Sequence, residues 1–165
     1  MAIYVTSDAH GHVRALDEAL SKISLTSDDT LYVLGDMIDR GPDPVGVIKL
    51  VRSLPNARVL KGNHEQIMLD AIIGQDPLDA ETWDINGGWT TRQQLNDMEF
   101  EAYEELVRWM ATLPLYAVVE TDERPYLLVH AGIQTEAARA FLLEHGVDCA
   151  DGTGAVCLLY TSPSP

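Results

Sequence analysis

Three short stretches of this chain gather carboxylate, imidazole and amide side chains between glycines. Gly35 to Gly41 reads GDMIDRG, Ser7 to His12 reads SDAHGH, and Gly62 to Glu65 reads GNHE. In the first, Asp36 and Asp39 stand close to Arg40, a charged cluster that needs an outside charge to balance it. A divalent cation on Asp36 and a phosphate on Arg40 would supply that. Asp8 and His10 in the second stretch, and Asn63 in the third, add further oxygen and imidazole donors. A fourth stretch, VHAGI from Val129, contributes His130. The donor set is oxygen plus imidazole without thiolate, which suits Mn, Fe or Zn in a working site better than a structural zinc. Manganese is the leading expectation. Two ions roughly 3.5–4 Å apart would activate a water and clamp a phosphoryl group, with Asp36 placed to bridge them. His64, next to Asn63, would stay off the metal and protonate the leaving oxygen, with Asp39 holding its ring.

Each stretch follows an apolar run that reads as a strand. Ala2 to Thr6, Thr30 to Leu34 and Ala57 to Leu60 are rich in β-formers. Between them, Val13, Leu16, Ala19, Leu20 and Ile23 recur at helical spacing, and Pro44 opens a second helix through Val45, Ile48 and Val51. The pattern is β-α-β-α-β, so a mainly parallel sheet is expected, with its chemistry in loops beyond the strand carboxyl ends. A helix follows from Glu65 to Gly74, then an irregular stretch from Gln75 to Thr90. A single helical region is expected over Thr91 to Leu113, with Leu106, Trp109, Met110 and Leu113 as its apolar stripe. Strands over Leu115 to Glu120 and Tyr126 to His130 come next, and a helix candidate over Glu136 to Glu144.

At 165 residues the chain has one domain's worth of sequence, and its net charge is −15. A chain so acidic lacks the basic patches that nucleic acid or an anionic membrane surface requires, so neither is expected as a partner. Cys149 and Cys157 form no disulfide framework, and no run of apolar residues reaches membrane-spanning length. The expected compartment is cytoplasmic.

Taken singly, each candidate has a plainer reading. Asp8 and His10 suit a polar turn, and Asp39–Arg40 suits a surface ion pair worth ~0–1 kcal/mol. Asn63 suits a helix cap, and His130 a core histidine. Trp83 and Trp109 are assigned to the core, Trp89 divides between packing and a substrate wall, and His12 has no assigned role. It is the set, at four strand ends, that points to a site.

The set SDAHGH, GDMIDRG, GNHE and VHAGI resembles the phosphoprotein phosphatase branch of the calcineurin-like metallophosphoesterases. The bacterial and phage serine/threonine phosphatases look closest, since they share a stretch like Gly87-Gly88-Trp89. The resemblance implies an α/β fold, a β-sandwich flanked by helices in four layers (α/β/β/α), with a dinuclear site. It implies Asp8 and His10 on a first divalent ion, Asp36 bridging, and Asn63 and His130 on a second. It implies Arg40 on the substrate phosphate, with Asn63 as a further phosphate contact, and His64 with Asp39 as the acid pair. Ala9 departs from the usual isoleucine, leucine or valine. A further metal histidine and a second phosphate arginine of the family have no match, and His145 is not assigned to that role.

The leading expectation is hydrolysis of phosphomonoesters by a serine/threonine protein phosphatase, with a phosphoprotein or small phosphoester as substrate. Symmetrical dinucleoside tetraphosphate hydrolases share the motifs but typically have aspartate where Glu65 stands. A phosphate-binding module without catalysis is the alternative of another class. The domain is expected to span residues 1–156 and to be incomplete at its C-terminus. Cys157 to Pro165, CLLYTSPSP, resembles the translation of an adapter used in DNA sequencing libraries and is expected to be a non-native tail.

Overall fold

In a computed structural model of the chain, described for residues 1–74, 76–122, 125–131, 140 and 143–144, the first three strands alternate with helices, three further helices follow, and two strands come last, five strands and six helices among the described residues. Strands β1 (Ile3–Thr6), β2 (Thr30–Val33) and β3 (Ala57–Val59) form one parallel sheet with β2 in the middle. Strands β4 (Tyr116–Val119) and β5 (Tyr126–Val129) pair antiparallel as a second sheet. The parallel sheet and its two crossovers agree with the sequence reading. The helix candidate over Glu136 to Glu144 lies largely outside the described residues. Gly132 and Ile133 of VHAGI, His145 and Cys157 to Pro165 lie wholly outside them.

Successive residues of β2 and its exit serve two different cores, because side chains alternate across a strand. Leu31 and Val33 face the helical side, in a cluster with Leu16, Val47, Ile48, Met68 and Met110. Tyr32 and Leu34 face the other way, against Leu60, Val119 and Leu128. The parallel sheet is thus covered by helices on one face and by the antiparallel sheet on the other, three of the four layers the resemblance implies; among the described residues no helix covers the outer face of the second sheet.

Helix α1 (Val13–Ile23) buries Leu16. Helix α2 (Pro44–Ser53) starts with proline in its first turn, and Asp43 caps it by accepting the Gly46 N–H at 2.9 Å. Helix α3 (Asn63–Ile73) begins at the GNHE stretch itself, two residues earlier than expected.

Two differences follow α3. Residues expected to be irregular form helix α4 (Pro77–Ile85), and the single helix expected next is divided into α5 (Trp89–Asn96) and α6 (Phe100–Ala111). Helix α4 buries only Trp83, so no apolar stripe announces it. Its signal is Asp76-Pro77, a capping side chain bonded to the Leu78 N–H at 2.9 Å followed by proline at the first helical position. The division between α5 and α6 falls at Asp97 to Glu99, where Glu99 is extended and asparagine and aspartate are weak helix formers.

Candidate functional site

The three loops after β1, β2 and β3 lie side by side because hydrogen bonding continues past the strand ends. Asp8 donates its N–H to Gly35 O (3.2 Å), His10 to Asp36 O (2.9 Å) and Gly11 to Met37 O (2.9 Å). The third loop is pressed against the second. A side-chain carbon on Gly62 would run into Asp36, and one on Gly35 would run into the Gly62 backbone, so only glycine allows this approach. Five of the site residues hold left-handed backbone: Asp8 (φ 56°), His10 (39°), Asp36 (52°), Asp39 (68°) and Arg40 (64°). Such conformations cluster where surrounding structure holds them for function.

Asp36 is the centre. Its Oδ2 lies 3.6 Å from His10 Nε2, and its Oδ1 lies 3.3 Å from His130 Nε2. Each imidazole engages a carbonyl through its other nitrogen, His10 Nδ1 with Ile38 O at 2.8 Å and His130 Nδ1 with Leu34 O at 2.6 Å. Those contacts aim both Nε2 atoms at Asp36, the orientation expected of metal-binding histidines. Around His130 Nε2, Asn63 Oδ1 also approaches, to 2.9 Å. Two acceptor oxygens and an imidazole nitrogen meeting at one place require a cation between them, a proton or a metal. On the other side, Asp8 Oδ1 lies 4.0 Å from His10 Nε2. His10, Asp36 and His64 form one group of possible ligand atoms, and Asp8, Asp36 and His130 another, each within 4.8 Å. The residues fit one divalent ion on either side of a shared Asp36.

The electrostatics agree. Burial works to raise the Asp36 carboxyl, but the His130 hydrogen bond, the His64 backbone N–H and the two ring charges outweigh it and hold it below the usual range. For His130, burial works downward, and the hydrogen bond and charge of Asp36 lift it above its ordinary value. Burial holds His10 below its ordinary value, against the Ile38 carbonyl and Asp36, which favours the neutral ring a metal needs.

His64 belongs by distance to the group of His10 and Asp36, but both of its ring nitrogens are engaged elsewhere. Its Nδ1 is 2.7 Å from Asp39 Oδ2, and its Nε2 receives a hydrogen bond from Arg40 Nη2 at 3.0 Å. His64 Nε2 is also 4.0 Å from Asp36 Oδ2. A metal ion on that nitrogen would face the guanidinium directly, so Asp8 is the better partner for His10. Arg40 is exposed at the mouth of the site while His64 and Asp39 are fully buried.

All eight residues picked from sequence therefore meet at one end of the parallel sheet. Three further residues support them. The Glu65 carboxylate, wholly buried, accepts the N–H groups of Asp36, Met37 and Gly62, each at 2.8 Å. Burial and the Asp36 charge push it up, against those three donors. Trp83 and Thr91 bond Asp39 from the far side. Glutamate directly after a ligand run was the available signal for the first. The other two carried none beyond a tryptophan and a threonine near a glycine pair.

Glu65→Gln sets an amide N–H2 against at least one of those backbone donors. Loss of a hydrogen bond to a charged group costs about 1.5–3 kcal/mol, so the urea midpoint should fall accordingly. An unchanged midpoint would show that Glu65 does not hold the two loops together.

The sequence profile of the calcineurin-like phosphoesterases matches residues 1–151. The bis(5'-nucleosyl)-tetraphosphatase, symmetrical, of Erwinia tasmaniensis is 32% identical over 136 residues, covering 81% of this chain and 45% of that protein. The enzyme of the same name from Salmonella paratyphi C is 30% identical over 158 residues, covering 94% and 50%. The chain spans about half the length of these curated relatives. Among solved structures, a metallophosphoesterase from Sphaerobacter thermophilus superposes with a TM-score of 0.55 at 27% identity, covering 79% of this chain and 46% of that one. Among the described residues, no helix is long and apolar enough to cross a membrane. The loops, the shared carboxylate and the profile match lead to one assignment: the chain belongs to the calcineurin-like phosphoesterase family.

Proposed function

We propose that this protein hydrolyses a phosphoanhydride of a dinucleoside tetraphosphate, symmetrically, using a pair of divalent ions. The observation that carries the metal chemistry is Asp36, whose two oxygens face His10 on one side and His130 on the other. The ion pair would be held by Asp8, His10 and Asp36, and by Asp36, Asn63 and His130, with manganese as the first choice. When bound, such ions lower the pKa of water and neutralise phosphoryl oxygens.

The chain's own residues divide the remaining work. Arg40, exposed at the mouth, offers a forked donor to a phosphate. Asn63 Oδ1 is engaged with His130, which supports a metal role for it, with any phosphate contact left to its amide N–H2. His64 keeps its hydrogen on Nδ1 for Asp39 and presents Nε2 to the site, the nitrogen that would carry a proton to the leaving oxygen. With Arg40 turned to the phosphate, His64 Nε2 takes up a proton from solvent; water bonds to an inner phosphorus and gives one proton to solvent, the bridging P–O bond breaks, and the departing nucleoside diphosphate takes the proton from Nε2.

The substrate follows the relatives, both named for symmetrical tetraphosphate hydrolysis. The features that favoured a protein phosphatase lose their force here. Glu65 is buried on backbone amides and reaches no substrate. The glycine pair serves internal packing, since Gly87 abuts Arg40 and Gly88 abuts the Trp83 ring. With manganese, the specificity constant for a dinucleoside tetraphosphate should exceed that for a phosphoserine peptide, with nucleoside diphosphate as sole product. The reverse order would restore the phosphoprotein reading.

A further inference from the structure

Asp39 is buried without any exposure and receives more than its partner histidine. Thr91 Oγ1 donates to Asp39 Oδ1 at 2.6 Å and in turn accepts the Asp39 N–H at 2.9 Å. Trp83 Nε1 donates to both carboxylate oxygens, at 3.0 and 3.2 Å. Both residues are buried, Thr91 completely. The indole is itself fixed. Gly88 leaves no room beneath it, and the Arg92 guanidinium lies 4.8 Å from its ring centre, held by Asp84 at 2.9 Å. The same helical corner reaches Arg40, whose N–H is bonded to Gly87 O at 3.0 Å. Gly87 adopts φ 92°, which a side chain would strain.

We propose that Trp83 and Thr91 are positioning residues that lock the Asp39 carboxylate so that His64 keeps its hydrogen on Nδ1 and aims Nε2 into the site. The inference rests on His64 acting as the proton donor in the reaction above. An aspartate carboxylate turns easily about its last bond, which has broad minima. Thr91 and Trp83 occupy Oδ1 and share Oδ2, so the orientation that meets His64 at 2.7 Å is the one in which every donor is satisfied. A purely packing role would need only the shapes of the two side chains. The geometry uses their hydrogens.

Shape and hydrogen bonding separate in Thr91→Val and Trp83→Phe, with Thr91→Ser as the conservative control. Two readouts apply to the full chain, the first loaded with diamagnetic zinc, since manganese would broaden the nearby ring signals, and the second loaded with manganese. The first is the ¹⁵N spectrum of the histidine rings, in which His64 should show its hydrogen on Nδ1. The double variant Trp83→Phe/Thr91→Val should lose that signature and Thr91→Ser should keep it. The second is turnover of an alkyl phosphate beside p-nitrophenyl phosphate, whose leaving group departs without a proton. Thr91→Val should lose roughly 10–100-fold on the alkyl ester, the range for losing a hydrogen bond to a charged group, and much less on the aryl ester. KM and metal content should stay level, and Thr91→Ser should restore the alkyl rate. Equal losses on both esters, or an unmoved Nδ1 proton in the double variant, would overturn the inference. If the parent protein hydrolyses neither these esters nor a dinucleoside tetraphosphate, the proposed reaction is wrong; where the esters are not turned over, the ring spectrum alone decides whether Trp83 and Thr91 hold His64. If Trp83→Phe fails to fold, the Thr91→Val and Thr91→Ser pair carries both readouts.

Discussion

Asp36→Asn in the manganese-loaded protein is expected to leave no measurable hydrolysis of any phosphoester. Asparagine keeps the shape and loses both things the site draws from this residue. The first is charge, which stands between two imidazoles at 3.6 and 3.3 Å and would offset part of two dications. The second is the paired acceptor, since an amide puts N–H2 toward one of the two rings and can serve one ion at most. The helix start is affected too, because the His64 N–H now ends on Asp36 Oδ1 at 3.0 Å. Disturbing even a group that supports a ligand costs about 10–100-fold in metal affinity, and a shared ligand should cost more at both sites. Calorimetric titration with manganese, run beside the turnover assay, reads both effects. Full turnover at saturating metal would rule out a shared carboxylate.

His64→Asn should act differently, lowering turnover by about 10²–10⁴-fold, the range for a proton donor, while metal content stays close to that of the parent. Its ring sits between Asp39 and Arg40, with Nδ1 committed to the first and Nε2 to the second. Removing it empties no position in either of the two proposed ion sites, which use Asp8, His10, Asp36, Asn63 and His130. Metal analysis and rate on one sample make the distinction. If metal is lost in step with rate, His64 is a ligand, a reading that its 4.0 Å distance from Asp36 Oδ2 would then explain.

The site was legible in sequence because its residues advertise chemistry. Carboxylate, imidazole and amide between glycines, each directly after an apolar run, have few competing explanations when the pattern occurs four times. Strands and the first three helices were legible for a related reason, since burial of one face imposes a period. Helix α4 has no such stripe, only a cap and a proline. The partners of Asp39 were hidden by distance along the chain, 44 residues for Trp83 and 52 for Thr91, and by type, since both residues have ordinary packing roles. Glu65 was visible but misread. By sequence it reads as a substrate-dependent letter of a motif, whereas its burial makes it the strut between two loops.

Three of the five left-handed site residues are aspartates. Among residues with a side chain, aspartate and asparagine enter that backbone region most readily, because a short polar group can bond to its own chain. Glutamate would bring the same carboxylate with one more methylene and without that tolerance. At Asp8, Asp36 and Asp39 the residue is therefore selected twice, once by what it must bind and once by the handedness of the bend it must occupy. Chemical similarity is then a poor guide to exchange at these positions. Two side chains of equal charge differ here because one of them fits a corner that the other would have to straighten.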